Sequence, residues 1–185
     1  DSPSQNRINS ISMISSEEGW AIGDNSTILH YHDGIWKTFD EATSPPGRLT
    51  DLVLLNGEVW AVGSVGTILH WVSGTWHSIP SPTEANLEAI DMLGPDEGWA
   101  VGWDGTTGTI LHYTPTGWQI VPGLVPIHLE DIDMVNENEG WAVGGKGGII
   151  HYSGNEWSEV PSPTREVLKS ISMANEQEGW AVGYN

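Results

Sequence analysis

Short apolar runs of about four to six residues alternate with turns rich in Gly, Asn, Asp and Ser along the whole chain. Nowhere does an apolar i, i+3, i+4, i+7 pattern persist for long enough to make an amphipathic helix. The runs carry β-branched and aromatic residues and therefore read as strands. They also recur in a fixed order. A Leu/Ile-x-x-Ile/Leu-x-Met/Leu stretch appears at Ile8–Met13, Leu49–Leu54, Leu87–Met92, Leu129–Met134 and Leu168–Met173. A Gly-Trp-Ala-Val-Gly stretch follows at Gly19–Gly23, Val59–Gly63, Gly98–Gly102, Gly140–Gly144 and Gly179–Gly183. Next comes Thr-Ile-Leu-His-Tyr, at Thr27–Tyr31, Thr67–Trp71, Thr109–Tyr113 and, altered, Gly148–Tyr152. A turn then leads to a Trp-x-x-Ile/Val/Phe stretch, and Pro-Ser-Pro-Thr linkers stand at Pro80–Thr83 and Pro161–Thr164. We label these strands A to D.

The tryptophans give the period. Trp20, Trp60, Trp99, Trp141 and Trp180 recur at intervals of 40, 39, 42 and 39, and Trp36, Trp76, Trp118 and Trp157 at 40, 42 and 39. Four antiparallel strands in about 40 residues describe one blade of a β-propeller. The expected fold is all-β: complete four-stranded blades at 8–40, 49–80, 87–122 and 128–161, and a half blade at 167–184, in a single propeller or propeller segment. Nine of the 11 tryptophans thereby become core wedges, and the small Ala and Gly beside the first series let backbones approach.

At this point the repeats resemble a known group. Gly-Trp-Ala-Val-Gly followed by Gly-Thr-Ile-Leu-His and a turn before Trp is similar to the Asp-box, or bacterial neuraminidase repeat, propellers, and especially to the bacterial repeat proteins grouped with the photosystem II stability/assembly factor. The resemblance covers Ile8 to Gly183. It implies the fold more sharply than a function. The Asp-box itself, Ser-x-Asp-x-Gly-x-x-Trp, is degenerate: Asp33, Gly34 and Trp36 come nearest, while Ser73–Trp76 and Ser153–Trp157 keep Gly and Trp without the Asp, and Thr114–Trp118 has Pro115 and Gly117.

The first residues look like a D-to-A linker, and the last follow strands A and B of a fifth unit. Three expectations are compatible with this: a longer propeller of which these residues are a part, completion of the open edge by another copy or another protein, or a five-bladed ring closed with a short last blade. An unpaired strand edge invites association.

Charge narrows the partners. Six Lys+Arg against 25 Asp+Glu give a formal net charge of −19, the opposite of a nucleic-acid or anionic-membrane footprint. No run approaches the length of a membrane-spanning helix, so neither nucleic acid nor membrane insertion is expected. The absence of cysteine excludes disulfides, thiolate metal sites and cysteine nucleophiles.

Chemistry is sparse. His30, His70, His112 and His151 occupy one strand-C position on different blades, too far apart to share an ion, and are expected to pack at blade interfaces with backbone hydrogen bonds. His32, His77 and His128 have no ligand spacing. Asp91, Asp131 and Asp133 lie on strand A, which the resemblance implies is innermost. A carboxylate-lined channel is the expected setting, with Asp91 and Asp133 as weak candidates for a cation pair. Glu18, Glu97, Glu139 and Glu178, beside the A–B turns, are expected to face solvent. The sialidase chemistry that the resemblance raises needs three arginines, an activated Tyr and an acid/base Asp. Arg7, Arg48 and Arg165 are the only arginines, all in D-to-A linkers, and no distinctive Tyr–Glu pair accompanies them. Gly144–Gly148 aligns with ordinary B–C turns and lacks the spacing of a phosphate loop. No catalytic residue and no cofactor is expected.

The register-breaking positions carry the functional reading. Trp71 stands where other blades have Tyr. Trp103 opens a B–C loop, Trp103–Thr107, that is longer than its counterparts and contains Asp104. With the linker Pro45–Arg48 and the segment Pro122–His128, this loop could form an irregular binding face. The tentative binding residues are Trp71, Trp103, Asp104, His128 and Arg48. The expected role is a non-enzymatic binding or scaffolding propeller, part of a larger extracellular bacterial assembly, with a protein partner or self-association through the open edge. A lectin-like glycan binder is the alternative, and a sialidase-like hydrolase is a distant third.

Overall fold

Turn chemistry sets the strands. In the computed structural model, which describes residues 2–39, 47–123 and 125–184, Asp33–Gly34, Asn56–Gly57 and Ser73–Gly74 all have both residues at positive φ (52 and 81°, 52 and 84°, 53 and 82°). Each is a two-residue hairpin connection of the kind that matches strand twist. The first-position residue must tolerate the left-handed region, as Asp and Asn do more readily than most residues.

The first repeat forms β1 (Ile8–Met13), β2 (Glu18–Gly23), β3 (Ile28–His32) and β4 (Ile35–Thr38). The second forms β5 (Leu49–Leu55), β6 (Glu58–Gly63), β7 (Ile68–Val72) and β8 (Thr75–Ser78). The third forms β9 (Asn86–Gly94), β10 (Glu97–Trp103), β11 (Gly108–Thr114) and β12 (Gly117–Ile120). The fourth forms β13 (Leu129–Asn136), β14 (Glu139–Gly144), β15 (Ile149–Ser153) and β16 (Glu156–Val160), and β17 (Leu168–Asn175) pairs with β18 (Glu178–Gly183). Each four-strand group is an antiparallel sheet whose spatial order follows the sequence. No described helix is long and apolar enough to cross a membrane.

The last strand-A position and the residue before the strand-B Trp are cross-strand partners: Met13 with Gly19, Met134 with Gly140, Met173 with Gly179. A Cβ on any of these glycines would collide with the methionine sulfur, and Gly98 meets Met92 in the same way. The second repeat replaces both members at once, pairing Leu54 with Val59. The repeat thus conserves a filled volume rather than a residue type.

The chain divides into two compact units, Asp1–Leu87 and Glu88–Asn185. In the first, Trp20, Ile22 and Ile28 of the first sheet pack with Leu49, Leu52, Val59, Ala61, Leu69 and Trp76 of the second. In the second unit, Trp99, Val101 and Ile110 pack with Leu129, Ile132, Met134, Ala142, Ile150 and Tyr152. A smaller cluster joins Val143 to Leu168 and Ile171, with Trp141, Ile149 and Met173 against it. Each interface places the front of one sheet, led by its strand-B Trp, on the back of the next.

Candidate functional site

Alternation along strands B and C puts the strand-B Trp and the strand-C His on one face, directly opposite each other in the ladder. Their rings stack in every complete blade, at 4.1 Å for Trp20–His30, 3.9 Å for Trp60–His70, 4.0 Å for Trp99–His112 and 4.0 Å for Trp141–His151. The far edge of each imidazole meets a carboxylate at the start of strand B. His70 Nε2 lies 2.9 Å from Glu58 and His112 Nε2 2.7 Å from Glu97, His151 contacts Glu139, and His30 stands 3.4 Å from Glu18. Two expectations are corrected here. His70, His112 and His151 bond side-chain carboxylates rather than backbone, while His30 Nε2 is buried near Glu18 without a hydrogen bond among the described residues. Glu97 and Glu139 face these rings rather than solvent, because the diagonal across an antiparallel pair brings the glutamate onto the imidazole, while Glu18 keeps 43% of its side chain exposed. Glu178, on β18, is exposed.

The strand-A carboxylates also have partners. Asp91 accepts the Met134 N–H at 2.8 Å, Asp133 the Met173 N–H at 2.7 Å, and Asp131 both the Ile171 N–H and the Ser170 hydroxyl at 2.8 Å. In the other unit the Ser10 hydroxyl bonds Asp51 at 2.9 Å. Asp91, Asp131 and Asp133 tie their strand A to that of the following sheet, and Asp51 ties its own to that of the preceding one. Burial pushes the Asp91 and Asp131 carboxyls above their usual range, against the opposing effect of the N–H donors. Among the described residues no group of three or more His, Asp or Glu side chains is placed to hold a metal ion.

On the loop side of the second unit the structure brings two register-breaking residues together. The indole of Trp103 stacks on His128, centroids 5.7 Å apart and planes 24° from parallel. The Gly108 N–H donates to the Val125 carbonyl at 2.7 Å, which holds the segment before His128 against the Trp103 loop. His128 Nε2 lies 3.6 Å from Glu88 and Nδ1 3.9 Å from Glu130. Lys169 reaches Glu130 at 2.6 Å and lies 5.5 Å from the Tyr184 ring centre. Trp103 and His128 are half-buried, and Glu88 and Glu130 are only 15 and 13% exposed. Glu88, Glu130 and Lys169 were not singled out from sequence. All three occupy the second position of strand A, where the register of β13 and β17 shifts by a bulge, and bulges re-aim side chains. The detectable signal was charge at a position that holds Asn9 and Thr50 in the first two repeats.

The remaining candidates have partners of their own. Asp104 accepts the Thr106 and Thr107 N–H groups, both at 2.7 Å, which order the loop and hold its carboxyl below the usual range. Trp71 packs in the first unit against Trp20 and Phe39, at 4.8 and 5.0 Å. Arg48, in the same unit, lies 3.7 Å from Asp24, and its N–H donates to Ser64. Pro45 and Pro46 of the first linker and Leu124 of the second fall outside the described residues.

No family model and no curated protein matches the chain. Solved structures do match its fold. YCF48 bound to D1 peptide aligns with a TM-score of 0.75 at 20% identity, over 98% of this chain and 62% of that one. A catalytically inactive virginiamycin B lyase from Staphylococcus aureus with quinupristin gives 0.79 at 19% identity, over 98 and 65%. The extracellular domain of a one-component system from B. thetaiotaomicron gives 0.70 at 15% identity, over 95 and 25%. The chain therefore spans less than two thirds of these proteins. The fold is a β-propeller of four-stranded blades, similar in structure to these proteins.

Proposed function

We propose that this chain is a non-enzymatic binding or scaffolding propeller that holds another protein, as part of a larger extracellular assembly in a bacterium. The observation that carries the reading is the Trp103–His128 stack between Glu88 and Glu130. A half-buried indole beside partly desolvated carboxylates suits a peptide segment with an aromatic or aliphatic side chain next to a Lys or Arg. The net charge of −19 favours a basic partner by steering. The bound peptide named for the YCF48 structure supports protein binding on this fold, and the extracellular domain among the similar structures supports an exported setting. The free edge of β18, which pairs only with β17 among the described residues, is the second surface through which a protein, or another copy, would associate.

Binding to an array of Lys- and Arg-containing peptides tests this. Trp103→Ala should weaken the best peptide by at least about tenfold, as for a central aromatic anchor, with the thermal midpoint nearly unchanged. The same Trp103 indole favours a lectin as the second reading. Micromolar binding on a glycan array, lost in Trp103→Ala and without peptide binding, would establish that reading instead. A lyase stands among the similar folds, so turnover belongs in the test: hydrolysis of a sialoside abolished in Arg48→Ala would overturn the non-enzymatic assignment.

A further inference from the structure

The same kind of interface is filled in one unit and left open in the other. The residue after strand D bonds back to strand C: the Phe39 N–H donates to the Ile28 carbonyl and the Val121 N–H to the Ile110 carbonyl, each at 2.9 Å. Phe39 and Val121 therefore hold one position of the repeat. In the first unit the Phe39 ring stands edge-on to Trp20 and Trp71, centroids 5.5 and 5.0 Å away. Trp76, one strand beyond Trp71, is 1% exposed there. In the second unit Trp99, Tyr152 and Trp157 repeat the places of Trp20, Trp71 and Trp76, with Tyr152 and Trp157 at 4.7 and 5.7 Å from Trp99. The phenylalanine is not repeated.

Valine lacks most of the volume of a phenyl ring. Where Val121 stands, Trp157 is only half-buried, and a cavity of 410 Å³ opens among Ile110, Val121, Pro122, Val125 and Trp157. Its walls come from two complete sheets, β9–β12 and β13–β16, with Pro122 and Val125 between them. The volume falls in the range of small-ligand pockets. Its one charged lining residue is Glu156, exposed at the start of β16 and without an ion-pair partner among the described residues. In a chain with a net charge of −19, that carboxylate favours a cation and opposes an anion.

We infer that the cavity at Val121 and Trp157 is a binding site for a small arylalkylamine, its ring in the place that Phe39 fills in the first unit and its ammonium toward Glu156. The Phe39 packing selects the aryl group: a phenyl edge against an indole is a favourable contact that an alkyl chain of the same volume does not make. Glu156 selects the ammonium. An aryl carboxylate would fill the same space and meet a like charge. The site is distinct from the Trp103–His128 stack, since none of Trp103, His128, Glu88 and Glu130 lines it. It stands independently of the reading of this chain as a protein-binding propeller.

The test is titration calorimetry of the 185-residue chain with phenethylamine. Saturable binding with a Kd of about 0.1–1 mM is expected of so small a ligand, with slowed amide exchange at residues 108–110 and 155–157. Phenylacetate, the same ring with a carboxylate, should bind about fivefold more weakly or worse. Glu156→Gln should weaken phenethylamine by about two- to fivefold, as for a solvent-exposed ion pair, and leave neutral benzyl alcohol unaffected. Val121→Phe supplies the missing ring from the chain itself. Its thermal midpoint should hold or rise, as for a filled cavity, while phenethylamine affinity falls by about tenfold or more. Binding indifferent to Val121→Phe, equal affinity for phenylacetate, or no saturable binding overturns the inference. A lowered midpoint in Val121→Phe also overturns it, because the Phe39 packing would then not carry over to the second unit. Exchange protection confined to residues 103–107 and 128–130 does so as well, and that outcome would leave binding through the Trp103 face standing.

Discussion

Each Trp–His–Glu column joins an apolar wedge to a polar handle. The indole fills the space between sheets, the imidazole covers its face, and in the second, third and fourth blades the glutamate bonds the imidazole nitrogen that would otherwise be buried beside it. Burial dominates the energetics. Trp99→Ala removes a side chain that is 1% exposed and touches His112, Tyr152 and Trp157, so it should cost about 3–5 kcal/mol in urea unfolding. His112→Ala removes one stack and one hydrogen bond and should cost about 1–3 kcal/mol. The columns are not equal. Glu97 lies 2.7 Å from its histidine and Glu18 3.4 Å from its own. Glu97→Gln should therefore lower stability more than Glu18→Gln, and equal effects would mean that the carboxylates contribute only through general charge.

At the scale of elements, the strands A are tied to one another by carboxylates rather than by a ladder. Asp91 accepts the Met134 N–H while its carboxyl is held above the ordinary value, chiefly by burial and secondarily by Asp133. A raised carboxyl binds its proton more readily in the folded state than in the unfolded one. Its contribution is then most favourable at low pH and is lost as pH rises from the ordinary value of 3.8 through the raised one. Asp91→Asn keeps an acceptor for Met134 and removes the charge. Its thermal midpoint should equal or exceed that of the parent at pH 7, and the gap should shrink as pH falls into the carboxylate range. A gap that widens on acidification would show that the N–H donors outweigh burial. The strands themselves were legible because alternation and a period near 40 residues leave little freedom. Even the Met–Gly pairing shows in the sequence, as the joint change to Leu54 and Val59. Trp103 and His128 were legible because they break register. Glu130 and Lys169 were not, because a bulge turns the second residue of strand A out of the alternation that a sequence pattern assumes. The glutamates beside the A–B turns were misread for a related reason: sequence spacing does not reveal a diagonal contact made across a ladder.

At the scale of the whole chain, 25 acidic against six basic residues leave few carboxylates with a cationic neighbour. Arg48 near Asp24 and Lys169 on Glu130 are local exceptions. Self-repulsion should therefore oppose folding at low ionic strength. Raising NaCl from about 10 to 300 mM shortens the screening length from about 30 Å to well under 10 Å. Repulsion among dispersed surface carboxylates is long-ranged and is screened first, whereas the 2.6 Å contact of Lys169 with the mostly buried Glu130 is screened much less. The thermal midpoint should accordingly rise with salt. Association with a basic partner should move the opposite way, its on-rate falling over the same range while its dissociation rate changes little. Lys169→Met makes the comparison internal: it raises the net negative charge by one and removes a close ion pair. The variant should be less stable than the parent throughout and should gain more from added salt. A midpoint that falls with NaCl in the parent, and no longer falls in Lys169→Met, would instead place the electrostatic balance of the molecule in that single contact.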